Sequence, residues 1–219
     1  MGVQADQVRN DIISRVKSRL LLPGDRIDED ELRGRLGLSG TPIREAILTL
    51  EAVGIVERRP RSGPRIASLD LEGMVKLVEV LAEVEGAVAY RAARRIAPAE
   101  SESLRQALEA CEAWVAGKAP AGTQYYDLNL AFHTVLTVAA GNEFLAETMF
   151  GVGHRLIAYL NARHQLPGES IRSAREHRAI FEAVTTANGD RARQLMIAHV
   201  TMSDTLTLDV MNAVNRSRE

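Results

Sequence analysis

The chain of 219 residues has one cysteine, Cys111, and aromatic residues make up only 4% of it. A lone cysteine excludes an internal disulfide framework. The expected setting is a reducing cytoplasm, with Cys111 packed in a helix. No apolar run approaches the roughly 20 residues that span a bilayer, and Met1 to Leu20 lacks a secretory apolar core, so no membrane role is expected. A dominant charge is missing as well. The net charge is −2 at pH 7, and the whole molecule does not announce a polyanion partner. The charge is unevenly spread, however: residues 1–66 hold 12 basic and 10 acidic side chains, residues 67–219 hold 15 and 19. Within the first part "RRPRSGPR" (58–65) carries four arginines and no acid. A local basic patch is compatible with DNA binding, although a short basic loop is more often only solvated.

What the chain does contain is helix-forming residues, chiefly Ala, Leu, Glu and Arg. Val8, Ile12, Ile13, Val16 and Leu20 recur at helical spacing and predict a first helix over about 6–20. "LPGDRI" breaks it, and a short second helix starts at Asp28 or Glu29 with Leu32 and Leu36 inward. A third helix runs to about Val53, with Thr41 as N-cap ahead of Pro42, or Ser39 as the alternative cap, and Gly54 as its stop. "IVERR" and "PRIAS" then read as a two-stranded hairpin, which completes a winged helix-turn-helix over 1–68. From residue 69 onward the pattern is helical, with helices expected near 71–95, 98–117, 123–140, 142–165, 168–188 and 190–214. Their short connections predict an all-α antiparallel bundle of six or so helices over 69–219, so the fold class is mainly α.

A helix-turn-helix offers the start of its second helix to the major groove. Here that start carries Ser39, Thr41 and Arg44. Arg44 suits a guanine edge or a phosphate, and Ser39 and Thr41 suit phosphate oxygens. Arg58, Arg59, Arg61 and Arg65 of the hairpin are in reach of flanking phosphates. On spacing alone, Arg44 paired with a neighbouring acid on an ordinary soluble helix remains open. In the second half Asn129 and His133 share one helix face at i, i+4, and His177 and His199 lie 22 residues apart on consecutive helices. Three imidazoles and an oxygen converging in a bundle would bind a divalent metal. Packing or surface histidines are the blander alternative. His154 and His164 are expected at the surface.

The stretch "LLPGDRIDEDELRGRLGLSGTPIREAILTLEAVGIVERRPRSG" resembles the DNA-binding domain of GntR-type bacterial transcription regulators. It does so through the PGD turn, the acidic-Glu-Leu helix, "LGLS-x-TPIREAI--LE--GIV" and Gly63. The resemblance implies operator binding by a homodimer, with base or phosphate roles at Thr41 and Arg44 and wing contact at Ser62 and Gly63. Two positions depart from the family pattern: Gly40 stands where an arginine is usual, and Asp30 where some members are basic. "NLAFH…AAGN", "EHRAIFEAVTTANGD" and "AHV" resemble the all-helical FCD effector domain of the FadR-like subgroup. That resemblance implies a metal held by Asn129, His133, His177 and His199, with Asn129 in place of the usual aspartate. Zinc is the default, with nickel, manganese or iron as alternatives. It also implies a small organic acid effector, contacted by Arg155, Arg175 and Tyr126, with Arg172 and Tyr159 as further candidates. An arginine common in the first FCD helix is replaced near Leu81, which argues against simple 2-hydroxy acids.

The expected function is therefore a ligand-responsive transcription regulator, with repression as the working direction, and not an enzyme. The alternatives are an architectural DNA binder with a structural metal, or a metal-dependent hydrolase. No general-base carboxylate, nucleophile elbow or phosphate loop in the sequence accompanies the histidines to favour the latter. An arginine contact is worth roughly 1–3 kcal/mol of base discrimination, so Gly40→Arg is expected to change operator affinity, salt dependence or sequence preference in a gel-shift assay. No change in all three would remove Gly40 from the DNA-reading surface.

Overall fold

The computed structural model describes residues 2–59 and 62–216. Among these, the chain opens with three helices, α1 (Val3–Lys17), α2 (Glu29–Leu36) and α3 (Gly40–Ala52), followed by strands β1 (Val56–Arg59) and β2 (Gly63–Ile66). The strands pair antiparallel, with Val56 opposite Ile66 and Arg59 opposite Gly63. Each helix forms because its apolar residues fall on one face. Ala5, Val8, Ile12 and Val16 of α1, Leu32 of α2 and Ile43, Ile47 and Leu50 of α3 are all buried in one core with Ile55 and Ile66.

The ends of these helices follow local chemistry. Asp28 caps α2 by accepting from the backbone N–H of Asp30 (2.9 Å) and Glu31 (3.1 Å), and those bonds hold its carboxyl below the usual range. α1 stops at Lys17 and not at Leu20, because Arg19 turns into the left-handed region at φ 61°. α3 begins at Gly40, so Ser39 and not Thr41 occupies the cap position, without a side-chain capping bond. Pro42 is tolerated inside that first turn because its missing N–H has no acceptor there.

The helical part contains α4 (Leu71–Arg95), α5 (Pro98–Val115), α6 (Tyr125–Ala140), α7 (Glu143–Gln165), α8 (Glu169–Thr185), α9 (Gly189–Val200) and α10 (Asp204–Arg216). The single helix expected over 190–214 is two. Thr201 leaves the helical region at φ −59°, ψ 140°, and Ser203 restarts the helix as a cap, its Oγ accepting from the Leu206 N–H at 3.2 Å. The freed carbonyls at the end of α9 are satisfied by the buried Arg163 of α7, which donates to His199 O (2.9 Å) and Val200 O (3.2 Å). α4 lies at the centre, packed against α6, α7, α8, α9 and α10. Cys111 is fully buried and its thiol is pushed up to about 12, as expected of a packing residue.

The two parts meet along α1. Asn161 of α7 donates to the Lys17 carbonyl at 2.5 Å, the Lys17 ammonium pairs with Asp127 of α6 at 2.5 Å, and Arg19 bonds Gln165. The Tyr159 hydroxyl accepts from the Leu69 N–H at 2.9 Å at the entry to α4.

α4 and α9 approach closely at Gly86, where a Cβ would stand 2.7 Å from Ile197 Cγ1. Gly86→Val is therefore expected to overpack this contact and lower unfolding free energy by about 1–3 kcal/mol, measured by urea denaturation. Adding Ile197→Ala should recover part of the loss, and a neutral Gly86→Val would show that the helices separate freely.

Candidate nucleic-acid interface and candidate metal centre

The outer face of α3 presents Ser39, Thr41 and Arg44 to solvent, while Ile43 and Ile47 next to them anchor the helix inward. The Arg44 side chain is 69% exposed, and Glu29 lies 3.9 Å from its Nε, too long for a hydrogen bond. In the wing, Arg58 approaches Glu51 at 3.5 Å and Arg59 pairs with Glu57 at 2.8 Å, both on exposed surface. Ser62 donates its N–H to the Arg59 carbonyl at 3.2 Å, and Gly63 takes φ 74°, which closes the wing turn. Arg65, expected to reach phosphate, is already engaged within the domain. Its guanidinium donates to the Gly24 carbonyl at 3.0 Å and ties the hairpin to the loop before α2. Arg61 lies outside the described residues.

α6, α8 and α9 bring His133, His177 and His199 together, each offering one ring nitrogen within 4.8 Å of the other two. All three are buried. Glu85 of α4 bonds His133 Nδ1, and Glu176 of α8 lies 2.7 Å from His199 Nδ1. A carboxylate on Nδ1 fixes the ring and turns Nε2 inward, the usual support of a metal-binding imidazole. Phe132 stacks on His177 at 4.1 Å between centroids and holds the third ring. His133 Nε2 and both nitrogens of His177 find no hydrogen-bond partner among the described residues. Burial, with the neighbouring imidazoles, holds His177 and His199 well below the ordinary histidine range, so both are neutral and ready to ligate. Buried polar atoms seldom go unpaired, and three converging ring nitrogens suit a divalent transition metal.

Asn129, one turn before His133, lines the cavity that His133 and His199 face, and its Oδ1 is 3.4 Å from the Ser173 hydroxyl. The cavity measures about 220 Å³ and is walled mostly by apolar side chains, among them Leu81, Met149, Phe150 and Ile157. Tyr126 lines it, and burial pushes its hydroxyl pKa up. The other effector candidates fall elsewhere. Arg155 lies under Gly54, with Nε 2.9 Å from the position a Cβ would take there. Arg175 is exposed, Arg172 is paired with Glu169 and Glu176, and Tyr159 serves the α4 entry. α7 explains the discrepancy: Met149, Gly153, Ile157 and Leu160 form its inward stripe, and Arg155 is off it.

The same stripe continues to Arg163, which no sequence signal singled out, and to His164, which was expected at the surface. His164 is buried, not at the surface, and burial lowers its pKa to about 3. His154 is half-buried and also lines the cavity. Arg163 is clamped by Glu169 at 3.0 Å and by the α9 carbonyls, so it positions His199 and is already engaged. Glu85 and Glu176 were likewise unread. Their only sequence signal is an acid on the inward face of a neighbouring helix.

Glu85→Gln or Glu176→Gln should weaken metal binding about 10–100-fold without unfolding the chain, and His177→Ala should abolish it, by competition with a chromophoric chelator. The depressed histidines also set a pH dependence. The unfolded chain binds protons near the ordinary value of about 6.5 while the folded one resists, so stability is fully present above that pH and is lost as pH falls. Metal-free protein should lose up to about 1.4 kcal/mol per pH unit for each histidine still neutral, between pH 6.5 and 5. A flat unfolding profile would mean that these rings are hydrated.

Residues 76–202 match the family model of the FCD domain, and residues 4–66 match that of bacterial regulatory proteins of the gntR family. The chain is 26% identical over 183 residues to the HTH-type transcriptional repressor RspR of Escherichia coli, covering 83% of this chain and 78% of that protein. It is 29% identical over 199 residues to a probable D-xylose utilization operon transcriptional repressor of Paenarthrobacter nicotinovorans, covering 90% and 85%. Its fold matches that of E. coli McbR/YncC with a TM-score of 0.77 at 18% identity over the full length of both chains. A putative GntR transcriptional regulator from Rhodococcus follows at 0.73 and 17%, covering 94% of this chain and 98% of that one. At such identities the likeness is one of fold. With an N-terminal winged helix that matches one model and a helical part that matches the other, the chain belongs to the GntR family of bacterial transcription regulators and carries an FCD domain.

Proposed function

We propose that this protein is a ligand-responsive repressor, a homodimer that binds operator DNA through α3 and the wing and senses a small organic acid in the metal-centred cavity of its helical part. The observation that carries this reading is the cluster of unpartnered imidazole nitrogens beside a cavity that also reaches α1. Ile13 and Lys17 of the DNA-binding part line the same space as Asn129, His133 and His199. A bound divalent metal, zinc by default, would supply a Lewis-acidic grip for a carboxylate. The protein's own contributions are the imidazoles, the Asn129 oxygen, the Tyr126 hydroxyl and an apolar wall for the rest of the acid.

The mostly apolar lining favours an acid with a hydrocarbon body over a densely hydroxylated one. Coupling follows if the acid prefers one placement of α1, since a ligand shifts an equilibrium only by its differential affinity. Lys17 is suited to that task because its ammonium is already held by Asp127 across the junction, and an anion in the cavity would compete for it. We take the boundary between the parts at residue 68; the Asp70 cap of α4, which accepts from the Gly73 N–H at 2.8 Å, supports it.

Thermal-shift screening of carboxylic acids against metal-loaded and chelator-treated protein, then titration of an operator selected from randomised DNA, tests this. Stabilising acids should need the metal and should change DNA affinity by about 5–150-fold, the range of common allosteric couplings. Metal without any acid response would indicate a structural ion, and acid turnover would indicate an enzyme.

A further inference from the structure

Gly40 has no positive-φ backbone to explain it, so the glycine is not demanded by chain geometry. What it provides is room. A Cβ at this position would stand 3.2 Å from Nη2 of Arg33, on α2, and 3.7 Å from Nη2 of Arg44, on α3. Two guanidinium groups from different helices therefore converge over the side-chain-free start of α3. Like charges brought together in this way repel, and the local carboxylates answer only in part. Arg33 Nη1 pairs with Asp30 at 3.0 Å, Arg44 stays 3.9 Å from Glu29, and the first turn of α3 contains no acid. One carboxylate contact does not use up the five N–H donors of a guanidinium. Both side chains are accessible, at 46% and 69%.

We propose that Arg33 is a DNA-contacting residue that reaches over Gly40 to a backbone phosphate. The arginine contact absent at position 40 is then supplied from α2. Gly40 keeps that path open, and Asp30 aims Arg33 along it. Read this way, Gly40 and Asp30 are one arrangement: the acid that departs from the family pattern orients the arginine that covers the other departure. Because the charge arrives from α2 and not from α3, its distance to the groove floor differs. It therefore contributes to affinity and salt dependence more than to base choice.

The inference rests on α3 being the reading helix, and an Arg44→Ala control in the full chain separates the two ideas. The experiment measures binding to a random-sequence duplex and to an operator selected from randomised DNA, over a range of salt concentrations. Arg33→Ala should lower affinity on the order of tenfold and reduce the slope of log K against log salt by about 1 per bound subunit, on both duplexes. The selected operator sequence should stay the same. Adding Gly40→Arg to Arg33→Ala should restore the slope, because the new side chain enters the space that Arg33 has left. An unchanged slope in Arg33→Ala, with Arg44→Ala impaired, overturns the assignment of Arg33 alone. Failure of the double variant to recover the slope overturns the shared position, and an unimpaired Arg44→Ala overturns the reading helix and the inference together. Arg33 is exposed on α2, so circular dichroism of Arg33→Ala should match the parent and exclude misfolding as the cause.

Discussion

Polar atoms placed in a dry interior must find a partner, and this constraint organises the helical half. Three imidazoles are buried against one another, and a neutral ring leaves one nitrogen that only an acceptor, a donor or a metal can satisfy. Two carboxylates on α4 and α8 take the outer nitrogens and leave the inner ones facing each other. Removing an unpaired buried polar group from water costs about 1–3 kcal/mol each. A fold that assembled such a cluster for packing alone would give up a sizeable share of a typical stability of 5–15 kcal/mol. A cation at the centre, as proposed above, would convert that penalty into binding energy, and folding and metal occupancy would then be linked.

The same constraint accounts for the break between α9 and α10. Once α9 ends at Val200, its last carbonyls need donors in a place that water does not reach. Arg163 supplies them, and Glu169 balances the buried charge at 3.0 Å. Arg163 thereby ties the helix carrying His199 to α7, whose inward stripe lines the cavity. An arginine in the cavity wall is thus engaged in holding the helix of His199 in place, not free to meet a small molecule.

Much of this was legible in the sequence, and what was not has physical reasons. The winged helix could be read because its apolar periodicity, its Pro-Gly turn and its Gly54 stop are local signals. The histidine set could be read because i, i+4 spacing and an antiparallel return bring residues together by rule, aided by the family resemblance. With Thr41 as cap the start of α3 falls two residues late, and the alternative cap Ser39 is the one used, because proline inside a first turn loses nothing and Pro42 does not mark a boundary. The joined helix over 190–214 hid a polar "TMSD" whose serine restarts the helix, a signal weaker than the Gly and Pro breaks elsewhere. The effector arginines Arg155 and Arg175 were candidates whose helix face the sequence did not fix. On a helix one residue of offset is about 100° of rotation, which carried Arg155 to Gly54 and left the cavity to Arg163. Glu85, 48 positions before His133, could not be paired with it from spacing at all.

The junction at Lys17 has a mechanical consequence. α1 is a rod of 15 residues, about 22 Å long, gripped at its C-terminal end by Asn161 and Asp127 and packed along its length on α3. A tilt of about 5° at the gripped end sweeps its far end through roughly 2 Å, by simple geometry on that length. α1 is thus a lever with its fulcrum at the cavity wall, and under the proposed function such leverage would turn sub-ångström adjustments around a small molecule into displacements on the scale of a DNA groove contact.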